Sequence, residues 1–376
     1  MEDMANVFKM KVRKPRIKFK PALFLCLVSA SIMMYLIIDV PISYPIPRHC
    51  QPFQMNAYPF INKLNNTSKT WVQNTVAARK IRKLSSNCLP TQNTLMVYAA
   101  NNNVDDIDFK QGFNPIEYIA FLYDGKTGTP QELPAKFEKV KRQHHCAIIG
   151  NSGILLNSSC GEEIDSNHDF VMRSNFAPIE SYMKDVGVKT NLTVINIEKI
   201  RQIANILSVG DFKDPVAKMM FRRLKFLNDS VVWFPKGTRF RFYIRTKLQY
   251  IAKQLKTKYH LPLKIGYSWR NLEALIKWFW SMQEFYTTTG LNMYTVATTF
   301  CDQITLYGFY PFHVDKDSRR IPHHYYEDIP YEYDNKVHSF HEEFDRLKTL
   351  HTMGALRLVT DRCNGDKPST ISLPKK

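Results

Sequence analysis

Two histidines are the side chains of this sequence best suited to move a proton near neutral pH. His324 stands in the run His323-His324-Tyr325-Tyr326, and His338 is followed five residues later by Glu343. A neutral imidazole can take a proton from a reacting group and later return it. Because a single histidine is more often structural than catalytic, we assign no role to His144, His145, His341 or His351.

Polar turns after two strand-like runs could bind a ligand. Residues 150–153, Gly-Asn-Ser-Gly, follow the apolar run 146–149, and Asn175 follows the run 170–173. Glycine lets backbone amides approach a ligand closely, although an ordinary strand-to-helix turn can have the same composition. Asn151 and Asn175 are expected at the carboxyl ends of two strands, where open α/β sheets place their binding crevice.

A second polar stretch suits an anion. Thr288, Thr289 and Gly290 precede a helical pattern, so hydroxyl groups and backbone amides should meet at a helix N-terminus. The next strand-like run leads into an aromatic tip, Phe-Tyr-Pro-Phe at residues 309–312. Tyr310 in this tip could pack in the core or stack on a base or a sugar.

The elements that must position these residues alternate along the chain. Short apolar runs separated by helical patterns predict an α/β fold, a largely parallel sheet with helices on both faces. The predicted strands are residues 146–149, 170–173, 192–195, 231–234, 263–265, 304–307 and 356–359. The predicted helices are residues 71–84, 198–207, 242–255, 271–280, 291–300 and 340–353.

The sequence gives little support to a metal site. No pair of the seven cysteines has CxxC spacing, which argues against zinc and thioredoxin-like chemistry. D-x-D pairs occur at 106–108 and 315–317, but neither follows an apolar strand, so we expect loop acids and no metal. The wide cysteine spacing is compatible with long-loop disulfides in an oxidising compartment.

Composition and charge narrow the class of protein. With 376 residues, 44% of them hydrophobic and 13% aromatic, the chain is globular and long enough to bury a core. Its formal net charge of +18 favours acidic partners such as phosphates, acidic sugars, membrane surfaces or nucleic acid, without choosing among them.

The N-terminal 40 residues predict a membrane anchor. Seven Lys or Arg residues within residues 1–20 precede an uncharged run at 21–38, close to the roughly 20 residues that span a bilayer. The basic block places the N-terminus in the cytosol and the rest in the lumen. A signal peptide cleaved at Ser29-Ala30-Ser31 is the alternative. Sequons at Asn65, Asn66, Asn157, Asn191 and Asn228 fit a lumenal, glycosylated chain.

Four stretches, in order, resemble the sialyl motifs of the animal sialyltransferases. Residues 146–178 resemble the large motif, residues 287–312 the small motif, residues 324–326 the third motif, and His338 with Glu343 the very small motif. Within that family, the runs GNSGIL, LNDSVVWFP and LYGFYPF are most similar to the α-2,8-sialyltransferases. The resemblance covers roughly residues 146–363.

The resemblance implies a fold and a donor. The fold is a single Rossmann-like α/β glycosyltransferase domain, a GT-A variant, acting by inversion without a metal or other cofactor on the donor CMP-sialic acid. Asn151 and Asn175 are then expected to contact the nucleotide and phosphate, Tyr310 to lie near the cytidine or sialic acid, and residues 288–290 to hold the phosphate and carboxylate.

The resemblance also assigns the chemistry and the disulfides. His324 is expected to stabilise the departing CMP phosphate, and His338 to be the general base. Family members pair cysteines that correspond to Cys146–Cys301 and Cys160–Cys363. The implied division is a cytosolic tail at 1–20, a signal-anchor helix at 21–40, a stem and lead-in segment at 41–142, a catalytic domain at 143–363 and a disordered tail at 364–376.

The sequence departs from the family pattern at four places. Thr288 replaces the usual Ser, Tyr310 replaces Trp, Ser174 replaces Cys, and His341-Glu342 replaces Pro and an apolar residue. We expect the Thr288 hydroxyl to keep its function, and the change at residues 341–342 to alter the local geometry of the very small motif.

The predicted protein is therefore a Golgi type II α-2,8-sialyltransferase that acts on sialylated glycoproteins or gangliosides and binds no nucleic acid. The first alternative is an α-2,3 or α-2,6 linkage to galactose or N-acetylgalactosamine. The second is a catalytically silent glycan-binding membrane protein.

Overall fold

The computed structural model describes most of the chain after residue 136 and short pieces before it. The described residues are 50, 52–53, 71–89, 95–98, 137–210, 213–227, 230–235, 242–261, 263–268, 272–282, 286–329, 333–334 and 337–363. All of them belong to one compact unit, Ile46–Lys376. The predicted cytosolic tail, anchor and C-terminal tail lie outside them, and none of the helices within the described ranges is long and apolar enough to cross a membrane.

One nine-stranded sheet organises the described part of the chain, in the order β2-β1-β7-β6-β5-β4-β3-β8-β9. Its strands are β1 (Met96–Tyr98), β2 (Phe137–Lys139), β3 (Gln143–Ile149), β4 (Phe170–Ser174), β5 (Leu192–Val194), β6 (Val231–Phe234), β7 (Lys264–Tyr267), β8 (Cys301–Tyr307) and β9 (Arg357–Val359). The seven strands from β7 to β9 in this order are mutually parallel. They correspond to all seven predicted strands, so the predicted parallel sheet is confirmed.

Two strands at one edge are additions to that prediction. β1 pairs antiparallel with both β2 and β7, with Val97 opposite Glu138 on one side and Gly266 on the other. Both strands fall within residues 41–142, the predicted stem and lead-in segment. The sheet therefore includes residues N-terminal to the predicted start of the catalytic domain at 143.

Helices flank the sheet on both sides. Those in the described ranges are α1 (Thr75–Cys88), α2 (Gly161–Ser166), α3 (Met183–Val186), α4 (Ile197–Val209), α5 (Pro215–Lys225), α6 (Phe242–Tyr259), α7 (Glu273–Trp280), α8 (Thr289–Ala297) and α9 (Phe340–Thr352). Their boundaries follow local capping chemistry. Asn74, Asn196 and Asp214 each accept a hydrogen bond from a first-turn amide of the helix that follows, and α4 ends at Gly210, whose φ is +69°.

The second half of the interior strand β3, residues 146–149, is buried on both of its faces, and its sequence is correspondingly all apolar. Cys146 and Ile148 belong to the core that α1, α7, α8 and α9 cover. Ala147 and Ile149 belong to the core beneath α2 and α3 on the opposite face. A third core under α4, α5 and α6 completes that second face.

Two disulfides cross-link the sheet, and both are the predicted pairs. Cys146–Cys301 joins the neighbouring strands β3 and β8, with Cα atoms 6.1 Å apart. Cys160–Cys363 joins the start of α2 to the segment after β9, and the Cys363 amide also donates to the Ser158 carbonyl. These bonds fasten the large-motif region to the small-motif strand and to the C-terminal strand.

Candidate active site

The turn after β3 is built against the turn after β8. The Gly150 amide donates to the Tyr307 carbonyl (2.7 Å), and the Ser152 amide donates to the Gly308 carbonyl (3.1 Å). The Ser152 hydroxyl donates to the Tyr310 carbonyl (2.8 Å). A Cβ added at Gly150 would overlap the Gly308 carbonyl oxygen. The glycine is therefore required for packing between two strand ends, and this contact alone accounts for it.

Asn151 lies between that turn and the third-motif loop. Its carbonyl accepts a hydrogen bond from the Tyr325 amide (2.9 Å), and Gly153 donates its amide to the Pro322 carbonyl (3.1 Å). The Tyr325 hydroxyl in turn donates to the Pro178 carbonyl (2.8 Å). The half-buried Asn151 side chain makes no hydrogen bond to another described residue. Backbone hydrogen bonds thus hold Asn151 in place, and its side-chain amide is available to a ligand.

Asn175 is held in a left-handed backbone conformation at the end of β4, with φ +53°. This conformation is uncommon for a residue with a side chain, and asparagine tolerates it better than most. Its amide donates to the Val194 carbonyl (2.7 Å), and its Oδ1 accepts from the Asn196 amide (3.1 Å). β3 and β4 are neighbours, so the structure brings Asn151 and Asn175 to the same edge of the sheet, as predicted.

Thr288 is the N-cap of α8, and a carboxylate is bound to it. Its hydroxyl oxygen accepts from the Leu291 amide (3.1 Å). Its own amide donates to Oε1 of Glu343 (2.7 Å), and its hydroxyl donates to Oε2 of the same carboxylate. Both donors of Thr288 are therefore directed to Glu343 in this structure. The amides of Thr289 and Gly290 have no hydrogen-bond partner among the described residues.

Gly290 is constrained from the other side. A Cβ at this position would lie 2.5 Å from Cε1 of the Phe309 ring. The absence of a side chain lets that ring lie directly on the first turn of α8. Of the three residues predicted to bind an anion, Thr288 binds the carboxylate of Glu343. The backbone amides of Thr289 and Gly290 at the helix N-terminus remain suited to an anion.

His338 lies two residues before α9 and has a defined ring orientation. Its Nδ1 is 2.8 Å from the Tyr286 carbonyl oxygen, which can only accept, so Nδ1 carries the proton. In the neutral ring this leaves Nε2 as the acceptor nitrogen, the tautomer that a general base requires. The Tyr286 amide donates to the Val337 carbonyl (2.8 Å), so a second hydrogen bond joins the same two segments.

His324 is oriented by a carboxylate. Its Nδ1 lies 2.9 Å from Oε2 of Glu327, and the two side chains are 28% and 41% exposed. Its ring stacks on Tyr326 with centroids 5.0 Å apart and an interplanar angle of 16°. The guanidinium of Arg223 lies 5.7 Å from the centre of the Tyr326 ring. The Glu327 carboxylate and the Tyr326 ring therefore fix the orientation of the His324 imidazole.

Aromatic contacts connect the two histidines. The His324 and His323 rings are 4.1 Å apart. The His323 ring lies 6.4 Å from Phe340, and Phe340 lies 5.6 Å from His338. Burial and the neighbouring His324 lower the pKa of His323 to about 4, so His323 is neutral between them. The structure thus places the two predicted catalytic histidines in one neighbourhood.

Tyr310 packs on the start of α9. Its ring makes edge contacts with Phe312 (5.0 Å) and Phe344 (6.0 Å), and its hydroxyl donates to the Val314 carbonyl (2.9 Å). Phe312 also lies 5.0 Å from the His341 ring. Packing therefore explains the aromatic tip, and the half-buried Tyr310 keeps part of its surface exposed.

The two residues that depart from the very small motif are accommodated at the start of α9. His341 pairs with Asp334 through its backbone amide (3.0 Å) and its ring Nδ1. Glu342 pairs with Arg346 one turn later (3.0 Å). Both side chains bind partners other than Thr288, so the helix still presents Glu343 to it.

Several other predicted residues have clear positions. Asp315 and Asp317 both bind Arg319, at 2.6 and 3.3 Å, so this D-x-D forms a salt-bridged turn. Within the described residues no cluster of His, Cys, Asp or Glu could hold a metal ion. Asn157 is exposed, whereas Asn191 is half-buried and accepts a hydrogen bond from the Val171 amide. The sequons at Asn65, Asn66 and Asn228 and the D-x-D at 106–108 lie outside the described residues.

Sequence reasoning missed the partners of the predicted residues. Glu327, Tyr286 and Asp334 received no role, and Glu343 was only part of a motif. His324 and Glu327 are three residues apart, a spacing that could have suggested the pair. No local signal indicates that Glu343 binds Thr288, 55 positions earlier.

The match to a protein family agrees with the motif pattern. Residues 99–355 match glycosyltransferase family 29 (sialyltransferase). A solved mammalian sialyltransferase is 20% identical, with 78% of this chain and 99% of that chain covered and a TM-score of 0.43. A mammalian sialyltransferase solved in complex with Gal-beta-1-3GalNAc-ortho-nitrophenol is 18% identical, with 82% and 96% covered and a TM-score of 0.40. Since the family match spans more than half of the sequence, the chain belongs to glycosyltransferase family 29, the sialyltransferases.

Proposed function

We propose that the chain transfers sialic acid from CMP-sialic acid to the terminal sialic acid of glycoprotein or ganglioside glycans, forming an α-2,8 linkage. Membership of family 29 supports the donor and the reaction class. The runs GNSGIL, LNDSVVWFP and LYGFYPF support the linkage. Asn151 and Asn175, at the carboxyl ends of adjacent strands, are the proposed contacts to the nucleotide.

The observation that carries the mechanism is a set of four hydrogen bonds between two segments. Residues 286–288 and 337–343 are joined by Tyr286 to Val337, His338 to Tyr286, and the two bonds from Thr288 to Glu343. They hold the proposed base and the proposed anion cradle in one fixed arrangement. Such preorganisation favours a reaction that needs a base and an anionic donor at the same place.

In the proposed reaction, Nε2 of His338 takes the proton of the acceptor hydroxyl as its oxygen bonds to C2 of sialic acid. The bond between C2 and the phosphate oxygen breaks on the opposite side, and its electron pair leaves with CMP. Backside attack inverts C2. Because the developing charge lies on a phosphate, a donor such as the His324 ring can stabilise it without a metal.

The donor anions are proposed to bind at the N-terminus of α8. The amides of Thr289 and Gly290 supply hydrogen bonds and the helix dipole supplies positive potential. Thr288 acts as a positioning residue, since both of its donors go to Glu343. Tyr310 is the proposed neighbour of the cytidine or sialic acid.

The proposed location is the Golgi membrane, with a single-pass type II anchor and a lumenal catalytic domain. The basic residues within 1–20, the uncharged run at 21–38 and the sequons support this. Two disulfides in the folded domain are typical of an oxidising compartment.

The test is an acceptor panel with linkage analysis. The full-length chain is incubated with CMP-sialic acid, with and without EDTA, and with matched sialylated and asialo glycoproteins and gangliosides. We expect EDTA-resistant transfer to sialylated acceptors in α-2,8 linkage. Transfer to asialo galactose or N-acetylgalactosamine would support the other linkages instead, and no CMP release with any acceptor would contradict transferase activity.

A further inference from the structure

Two cysteines outside the disulfides lie together in the core. Cys50 and Cys88 belong to neither of the two disulfides described above, and both are buried, at 8% and 3% exposure. Sγ of Cys50 lies 3.6 Å from the carbonyl oxygen of Asn87, the residue that precedes Cys88 at the end of α1. Both belong to the core that also contains Phe53, Ile81 and Leu89.

The segment that carries Cys50 is docked on the domain by independent contacts. The Phe53 amide donates to the Phe279 carbonyl on α7 (2.7 Å). The Phe53 ring makes contacts with Phe279 (6.4 Å) and Trp280 (5.3 Å), and it is 2% exposed. The contacts of Phe53 therefore hold the segment that contains Cys50 next to Cys88. The two thiols interact directly.

We propose that Cys50 and Cys88 form a third disulfide, which closes the loop of residues 51–87 and ties the segment after the predicted anchor to the catalytic domain. Each thiol gives up its proton, and the pair gives up two electrons to the disulfide of a protein or small-molecule oxidant, which becomes two thiols. One thiolate attacks the oxidant's disulfide, and the second thiolate then displaces the reduced oxidant from the mixed disulfide. The same chain already carries two disulfides, so its folding environment is oxidising.

The bond must form before the core closes. Burial, with a smaller contribution from Cys88, raises the pKa of the Cys50 thiol to about 12 in the folded chain, so the reactive thiolate is scarce there. In the unfolded chain a cysteine has its ordinary pKa of about 8.5. Chain folded in a reducing compartment would therefore keep both thiols, and later exposure to an oxidant would oxidise them slowly.

The direct test is peptide mapping of the full-length chain from secretory cells. Cells are denatured in N-ethylmaleimide, which blocks every free thiol, and the chain is digested with trypsin without reduction. Cleavage after Arg48, Lys63, Lys83 and Lys110 gives peptides 49–63 and 84–110, neither of which contains a sequon. We expect the two peptides to be joined until a reductant is added.

The Cys146–Cys301 link in the same digest is the internal control. If that link is intact while Cys50 and Cys88 both carry N-ethylmaleimide, the proposal is wrong. A link from either cysteine to Cys26 or to another chain overturns it as well.

Thermal unfolding gives a second, independent readout. Cys50→Ala, Cys88→Ala and the double variant should each lower Tm by the same amount, roughly 5–10 °C, because any one change removes the whole cross-link. Two thiols that only pack would instead make the double variant lose clearly more than either single variant, up to the sum of the two single losses. Additive losses would contradict the disulfide even if the variants fold poorly.

Discussion

The turn after β3 is held mainly by backbone groups, whereas His338 and the first turn of α9 are held mainly by side-chain contacts. Around Gly150 and Ser152, amides and carbonyls of neighbouring strand ends bind one another, and glycines allow the close approach. Around His338 and Glu343, an imidazole and a carboxylate make the contacts. Substitutions at the first region should therefore mainly lower the stability of the domain, while substitutions at the second should mainly change its chemistry.

The largest expected effect on stability is that of Gly150→Ala. Its new Cβ would overlap the Gly308 carbonyl oxygen, so two strand ends must separate, at a cost of about 3 kcal/mol. Gly210→Ala is the matched control, because that glycine has a positive φ but open space around it, and should cost only about 1 kcal/mol. Urea unfolding of both variants measures the difference. Equal losses would show that packing at the turn after β3 is not special.

Glu343→Ala tests the carboxylate clamp. It leaves the Thr288 amide and hydroxyl without their acceptor, and we expect kcat to fall about 100-fold, on the order of 3 kcal/mol. Glu343→Gln should lose less, because an amide oxygen still accepts from one donor. The control is Glu342→Ala, which breaks only the pair with Arg346. Similar kcat values for Glu343→Ala and Glu342→Ala would contradict a positioning role for Glu343.

Glu327→Gln tests the orientation of His324. The substitution removes the charge-assisted contact that orients the imidazole ring, and we expect kcat to fall roughly tenfold with little change in thermal stability, since Glu327 is exposed. The exposed pair of Arg320 with Asp328 offers a control in Asp328→Asn. A kcat equal to that of the control would contradict a positioning role of Glu327 toward His324.

The titration of His323 should make the stability of the domain depend on pH. The pKa of His323 is lowered to about 4 by burial and by His324, whereas in the unfolded chain it is about 6.5. Between these values the unfolded chain takes up a proton that the folded chain does not, so stability falls as pH drops from 6.5 towards 4. His323→Asn should reduce the loss between pH 7 and pH 5 by up to about 2 kcal/mol, measured by denaturant unfolding. An unchanged slope would contradict this assignment.

The sequence was sufficient for the central sheet because its parallel strands are buried on both faces. Such strands are continuous apolar runs, as residues 146–149 illustrate. β2 was missed because its sequence, Phe-Glu-Lys, is not an apolar run, and β1 was missed because it is an edge addition that pairs with β2 and with the distant strand β7. Helix α5 was missed because its four basic side chains obscure the inward residues Ala217, Met220 and Leu224.

In the candidate site, too, local patterns predict individual residues but not the contacts between distant ones. Asn151 and Asn175 could be placed because strand ends locate turns, and His324 and His338 because their chemistry and motifs stand out. The predicted use of Thr288 as an anion ligand could not foresee that Glu343 takes both of its donors. Contacts between residues far apart in sequence depend on how loops cross the sheet edge, and no local pattern encodes them.

The central claim is that His338 is the general base of a sialyl transfer. The most direct measurement compares transfer from CMP-sialic acid with CMP binding in His338→Ala, using His144→Ala, a change at an exposed ring, as control. We predict that transfer falls by about 1,000-fold or more while the Kd for CMP stays within roughly threefold of wild type. Transfer within tenfold of wild type, with CMP binding intact, would contradict the claim.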